Sequence, residues 1–89
     1  MKLICLRSYS NGYTGFIEEK ESYVFFKFPR KGKLEKLLKY HKADYKNYNH
    51  FIGDISKFFP FSFFLKEPVA LETITIAELD KILRHTSGR

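Results

Sequence analysis

Seven of the chain's sixteen lysine and arginine residues fall within one stretch of twenty-one residues. Residues 30–50 contain only two acidic side chains, so this stretch carries a net charge of +5 out of a total of +6. Concentrated positive charge attracts a polyanion or an acidic protein surface, although a solvated lysine-rich face is an equally good interpretation. We therefore predict a binding site for nucleic acid or an acidic partner at Arg30, Lys31, Lys33, Lys36, Lys39, Lys42 and Lys46.

The sequence contains few residues that could bind a metal ion or carry out covalent catalysis. Metal sites require clustered histidine, cysteine or carboxylate ligands at set spacings, whereas this chain has one cysteine and three isolated histidines. We predict no metal, no cofactor and no catalytic residue. Cys5 lies in an apolar run, which indicates an inert buried thiol. His50 and Asp54 are spaced to share a helix face, but an exposed pair is the favoured interpretation.

Three functional interpretations remain open. The first is a non-enzymatic protein that contacts nucleic acid, or a nucleoprotein complex, through a lysine-rich helical face at residues 30–46. Lysines neutralise phosphates and exposed rings stack on bases, and the candidate rings are Tyr23, Phe25 and Tyr40. The second is a phage- or plasmid-encoded protein inhibitor, of the anti-CRISPR or another anti-defence type, that acts by protein–protein contact. Exposed aromatic side chains favour such an interface and would also permit association between copies.

The third interpretation is a metal-independent ribonuclease toxin. Small basic enzymes of this kind cleave RNA with arginine, lysine, histidine and tyrosine side chains that are brought together by the fold. No spacing in this sequence selects such a set, and the available groups are Arg7, Tyr9, Arg30, Lys31, Arg84 and His85.

Length and composition predict one small domain over residues 1–89. Aromatic residues make up 18% of the chain, which supplies large buried areas to a small core. A single cysteine forms no internal disulfide, and this is typical of cytoplasmic proteins. The longest apolar run, residues 58–65, is far shorter than the roughly 20 residues of a membrane helix, so we predict no membrane contact.

The first third of the chain predicts an antiparallel meander. Residues 3–9, 13–18 and 23–28 are rich in strand-forming side chains, and polar residues separate them. Asn11 and Gly12 predict a type I′ hairpin turn, which requires positive φ at both residues.

Residues 33–59 predict helix, because their apolar side chains recur every three or four positions from Leu34 to Phe59. The lysines fall on the opposite side of this helix. A single helix of that length would be about 40 Å long, which is too long for a compact chain of this size. We therefore predict a break at residues 44–49, where aspartate and asparagine are natural N-caps.

Residues 61–66 and 69–74 predict two further strands separated by a turn at Glu67 and Pro68. Thr75 and Glu78 have the spacing of a capping box, which predicts a C-terminal helix. The expected fold class is α+β, a small single-sheet domain in the order β-β-β-α-α-β-β-α, with the helices packed on one face of a mainly antiparallel sheet.

Overall fold

Five antiparallel strands form one sheet in the computed structural model, which describes residues 1–87. The strand order is β4-β3-β2-β1-β5. The strands are β1 (Lys2–Tyr9), β2 (Gly12–Glu18), β3 (Ser22–Pro29), β4 (Glu35–His41) and β5 (Phe64–Ala70). The helices are α1 (Tyr48–Ile55) and α2 (Ile76–Ser87), with short 3-10 helices at Lys42–Asp44 and Phe61–Phe63. The α+β class is confirmed, but the order is β-β-β-β-α-β-α.

The meander of β1, β2 and β3 is confirmed, whereas the predicted turn type is wrong. No residue from 1 to 87 has positive φ, and the turn occupies residues 10–11, with Gly12 already paired to Tyr9. Glycine is needed at this position for a different reason. A Cβ on Gly12 would lie 2.3 Å from the carbonyl oxygen of Phe28 on β3, so only glycine fits this close approach.

Residues 35–41 form strand β4, so the first part of the predicted helix is wrong. A turn in which the Gly32 N–H donates to the Pro29 carbonyl (3.1 Å) returns the chain to the edge of β3. A bulge shifts the register, because Phe25 pairs with Leu38 while Phe26 pairs with Lys36. The extra residue in a bulge breaks the two-residue period. The leucine spacing that suggested a helix therefore belongs to a bulged strand.

The predicted asparagine cap is confirmed at the start of α1, but a strand and a short 3-10 helix precede it where the first of two helices was expected. The side chain of Asn47 accepts a hydrogen bond from the backbone N–H of His50 at 2.8 Å, which satisfies an amide that has no partner inside the helix. The helix ends at Ile55, and the chain then turns toward β5.

The C-terminal elements agree with the sequence in part. Residues 64–70 form one strand instead of two, and Pro68 lies inside it. Proline is tolerated there because β5 is at the edge of the sheet. The Thr75 hydroxyl accepts a hydrogen bond from the Glu78 N–H at 3.1 Å, which confirms the predicted cap of α2.

The helices pack on opposite faces of the sheet, not on one face as expected. Leu79 and Ile82 of α2 pack on the side chains of one face: Leu3, Leu6, Tyr13, Ile17, Val24 and Phe26. Phe51 and Ile55 of α1 pack, with Phe59, on the other face: Ile4, Cys5, Phe16 and Tyr23. The three central strands carry apolar side chains at consecutive positions, so both faces must be covered.

No described helix has the length and apolar character needed to cross a bilayer.

Candidate binding surface

Helix α1 covers only part of its face of the sheet. Two adjoining shallow cavities, each of about 300 Å³, lie on the uncovered part and share Arg7, Thr14 and Phe25 in their walls. We call this surface the open face and define it by seven of the residues that line it: Arg7, Thr14, Phe25, Lys27, Leu37, Leu38 and Phe58.

The strand register arranges the open face in rows. Arg7 on β1 pairs with Thr14 on β2, and Thr14 pairs with Lys27 on β3. Paired residues of neighbouring antiparallel strands project to the same side, so these side chains form a cationic row across three strands. The adjacent row is apolar, because Phe16 pairs with Phe25 and Phe25 pairs with Leu38.

Three large apolar side chains of the open face are exposed to solvent. Phe58 is 59% exposed, Leu38 is 54% exposed and Leu37 is 48% exposed. Leu37 is the bulge residue of β4, and Phe58 lies in the turn after α1, where its N–H donates to the Ile55 carbonyl. Large apolar side chains exposed together, instead of scattered singly, are typical of an interaction surface.

The two cations of the open face rest on aromatic rings. The Arg7 guanidinium carbon lies 5.1 Å from the centre of the Phe63 ring, and Lys27 Nζ lies 5.6 Å from the centre of the Tyr9 ring. Within residues 1–87, neither forms an ion pair with a carboxylate. Cation–π contacts position the charge without neutralising it, so both groups remain available to an acidic partner.

The predicted lysine-rich face does not exist as one helical surface. Three of its seven cations pair with carboxylates of the chain itself: Arg30 with Asp80 (2.7 Å), Lys42 with Glu18 (2.7 Å), and Lys36 with Glu19. Lys36 and Lys39 lie on the α2 face, because they pair with Phe26 and Val24. The amine of Lys42 instead lies 5.5 Å from the centre of the Tyr23 ring, on the α1 face.

Four of the predicted cations stay exposed without an ion pair among the described residues: Lys31, Lys33, Lys39 and Lys46. They are distributed along the turn before β4, β4 itself and the segment before α1. Their role in binding an anionic partner stays a prediction.

The three predicted contact rings have different environments. Tyr23 is only 4% exposed and stacks on Phe51 with ring centres 4.0 Å apart, so its ring is not accessible to a partner. Tyr40 is half-buried against Phe16 and Phe51 and lines the edge of the open face. Phe25 is half-buried and lies within the open face.

The residues considered for a ribonuclease lie at separate places. Arg7 and Tyr9 line the open face, while Arg30 contacts Tyr13 and Asp80 on the α2 face. Lys31 lies in the turn before β4 and Arg84 is on α2; the side chain of His85 is outside the described part of the structure. Hydrogen bonds from Arg30 and Tyr13 lower the pKa of Asp80, and burial followed by the Asp80 hydrogen bond raises the pKa of Tyr13.

Cys5 is completely buried against α1, and burial raises the pKa of its thiol, as expected for an unreactive cysteine. Across residues 1–87, no three histidine, cysteine, aspartate or glutamate side chains lie close enough together to hold a metal ion.

Six of the seven residues of the open face were not predicted as contacts for nucleic acid or a partner protein: Arg7, Thr14, Lys27, Leu37, Leu38 and Phe58. They come from four strands and the turn after α1, so they meet only through the strand register and the packing of α1. The strand assignment of β4 was the missing step, because a helix at residues 33–41 would have placed Leu37 and Leu38 in the core.

Comparison with family models, curated proteins and solved structures finds no match to this chain.

Proposed function

We propose that this chain is a non-enzymatic binding protein that docks its open face on an acidic protein surface. The exposure of Leu37, Leu38 and Phe58 beside two unneutralised cations carries this proposal. Apolar anchors surrounded by arginine and polar groups are the usual composition of a protein–protein interface. An inhibitor of the anti-defence type would act through a surface of this kind.

The composition of the open face favours protein over nucleic acid. Two of its three most exposed apolar side chains are leucines, whereas single-stranded nucleic acid is held mainly by aromatic rings that stack on bases. Arg7 and Lys27 lie close to the apolar row. They are therefore placed to pair with partner carboxylates while the leucines lose contact with water, which adds specificity to the contact.

Nucleic-acid binding is the second candidate, and the four unpaired lysines, Lys31, Lys33, Lys39 and Lys46, favour it. A duplex-DNA site that uses about four lysines loses affinity with salt at a log–log slope near −3 to −4. Binding through the open face depends on apolar contacts as well, so we expect it to survive moderate salt.

The two candidates are separated by a pull-down from nuclease-treated lysate of the source cells. The comparison uses wild type, the double variant Leu38→Ser/Phe58→Ser, and the double variant Lys31→Gln/Lys33→Gln. We expect one partner protein to be retained by wild type and by the lysine variant, and to be lost with the open-face variant. Loss upon nuclease treatment, or with the lysine variant alone, would favour nucleic acid and contradict the proposal.

A further inference from the structure

Strand β4 forms one edge of the sheet, and no described strand lies beyond it. Its residues are exposed except for half-buried Tyr40. An edge strand presents unpaired backbone N–H and C=O groups, which makes it a template for another strand. The open face ends at this edge, because Leu37 and Leu38 belong to both.

The ladder between β3 and β4 shows which backbone groups point outward. The Lys42 N–H donates to the Glu21 carbonyl at 3.0 Å, immediately after the last pair of the ladder, Ser22 with His41. Hydrogen-bonded and non-hydrogen-bonded pairs alternate along an antiparallel ladder. The backbone groups of Tyr40 and Leu38 therefore face β3, while those of His41 and Lys39 face outward.

The side chains at this edge differ between the two faces of the sheet. Lys36 and Lys39 project to the α2 face. Leu38 and Tyr40 project to the opposite face and line the open face. Over the regular part of β4 after the bulge, a strand added beside it would therefore place alternate side chains beside Lys39 and beside Leu38 and Tyr40.

We propose that the partner binds by adding an extended segment to the sheet beside β4. Its side chains alternate between an acidic group next to Lys39, which has no ion pair within residues 1–87, and apolar groups next to Leu38 and Tyr40. Such strand addition takes affinity from backbone hydrogen bonds and specificity from alternate side chains. This inference rests on the proposed function and supplies the chemistry of the partner.

Charge argues against a second copy of this chain as the occupant. Antiparallel pairing of two β4 strands about Lys39 places the two Lys39 side chains directly opposite each other, and like charges in that position are destabilising. An acidic segment would instead place a carboxylate opposite Lys39, and this contact is attractive. Nucleic acid has no peptide backbone with which to continue the ladder.

The first test uses amide NMR with a blocked eight-residue peptide of alternating glutamate and valine, and a matched lysine–valine peptide as the control. At millimolar glutamate peptide, we expect the Lys39 and His41 amides to shift and to exchange at least tenfold more slowly. Leu38 and Tyr40 already donate to β3, so their exchange changes little. The control peptide should leave all four amides unchanged.

The second test removes one outward N–H without changing the charge of the lysines. His41 has φ of −71° and ψ of 132°, which proline adopts without strain, and extended Tyr40 suits the position before a proline. We expect His41→Pro to weaken peptide binding at least tenfold relative to His41→Thr, which keeps the N–H. Thermal unfolding of both variants checks that the fold is retained.

Each other outcome overturns strand addition in a distinct way. Equal binding by His41→Pro and His41→Thr, or shifts confined to Arg7, Lys27 and Phe58, would leave docking through side chains alone, and the proposed function would stand. No shift on β4 or on the open face would reject this partner chemistry, while the pull-down decides the proposed function separately. Shifts of the Lys39 and His41 amides upon dilution without peptide would assign the edge to a second copy.

Discussion

The two faces of the sheet are closed by different means. The α2 face is mainly aliphatic and is covered by a helix of twelve residues. A polar contact anchors that helix, because Asp80 accepts hydrogen bonds from Tyr13 on β2 and from Arg30 after β3. The α1 face is aromatic and is covered by a helix of only eight residues.

On the α1 face, aromatic side chains supply the buried area that the short helix does not. Phe16 contacts four other rings, those of Phe25, Tyr40, Phe51 and Phe59, with centres 5.2–5.8 Å apart. Aromatic side chains bury large areas each, so a short helix closes the centre of the face while the rest stays accessible. The α1 face thus leaves part of its surface, the open face, accessible to solvent, and this is the surface that we propose for binding.

The largest expected effect is the loss of the central ring of the α1 face. Phe16→Ala should lower the free energy of unfolding by about 3–5 kcal/mol, because it removes a fully buried ring and leaves a cavity. Phe58→Ala, the same substitution at a 59% exposed position, should change it by no more than about 0.5 kcal/mol. Urea denaturation measures both, and a large loss in Phe58→Ala would mean that the open face is part of the core.

Removal of one hydroxyl group should have opposite effects on the two faces. Tyr13 donates to Asp80, so Tyr13→Phe should lower the free energy of unfolding by about 1–2 kcal/mol. The Tyr9 hydroxyl is buried beside the open face and has no hydrogen-bond partner within residues 1–87. Tyr9→Phe should leave stability unchanged or raise it by up to about 1 kcal/mol. Destabilisation of Tyr9→Phe in urea titrations would indicate a partner for this hydroxyl.

The N-caps of the two helices should contribute equally despite the difference in helix length. Asn47→Ala and Thr75→Ala each remove a side-chain acceptor from a helix start, and each should cost about 1 kcal/mol. Asn49→Ala and Thr73→Ala are matched controls outside the caps. If Asn47→Ala costs nothing in thermal or urea unfolding, the rings alone hold α1 on the sheet.

The smallest expected effect on the free energy of unfolding appears only at acidic pH. Hydrogen bonds from Arg30 and Tyr13 hold the pKa of Asp80 below its ordinary value of 3.8. A carboxyl with a lower pKa in the folded state stabilises the protein above the unfolded pKa, and this contribution is lost as the pH falls through the folded value. The free energy of unfolding should therefore fall below about pH 4 in wild type.

In urea titrations between pH 2 and 6, Asp80→Asn and Arg30→Gln should both reduce the fall in the free energy of unfolding at acidic pH. If both variants lose stability at acidic pH as wild type does, other carboxyl groups determine how the free energy of unfolding depends on pH in this range.

Local signals in the sequence were sufficient for the elements that depend on few partners. The meander followed from strand-forming runs separated by polar turns, and both helix starts followed from side chains that cap their own backbone, Asn47 and Thr75. Position 12 was identified as a glycine site for the wrong reason. The need for glycine comes from the approach of β3, which the local sequence does not show.

Strand β4 was missed because tertiary pairing overrode its helical spacing. The apolar spacing of Leu34, Leu37 and Leu38 fits a helix, but the edge of β3 needs a partner for its backbone groups, and β4 supplies it. The polar turn with Gly32 after β3 was the available signal. The open face was not predictable without β4, since it depends on the register of four strands.

The two outer strands of the sheet differ in the backbone amides that they offer, and we expect this difference to limit how the protein assembles. β5 carries Pro68, which has no amide hydrogen to offer to a further strand, whereas the outer edge of β4 offers the amides of Lys39 and His41. Head-to-tail contacts that do not close on themselves propagate into fibres. Because Pro68 interrupts the outer edge of β5, we expect strand addition at β4 to stop after a single partner, giving complexes of fixed stoichiometry and no filaments even at high concentration.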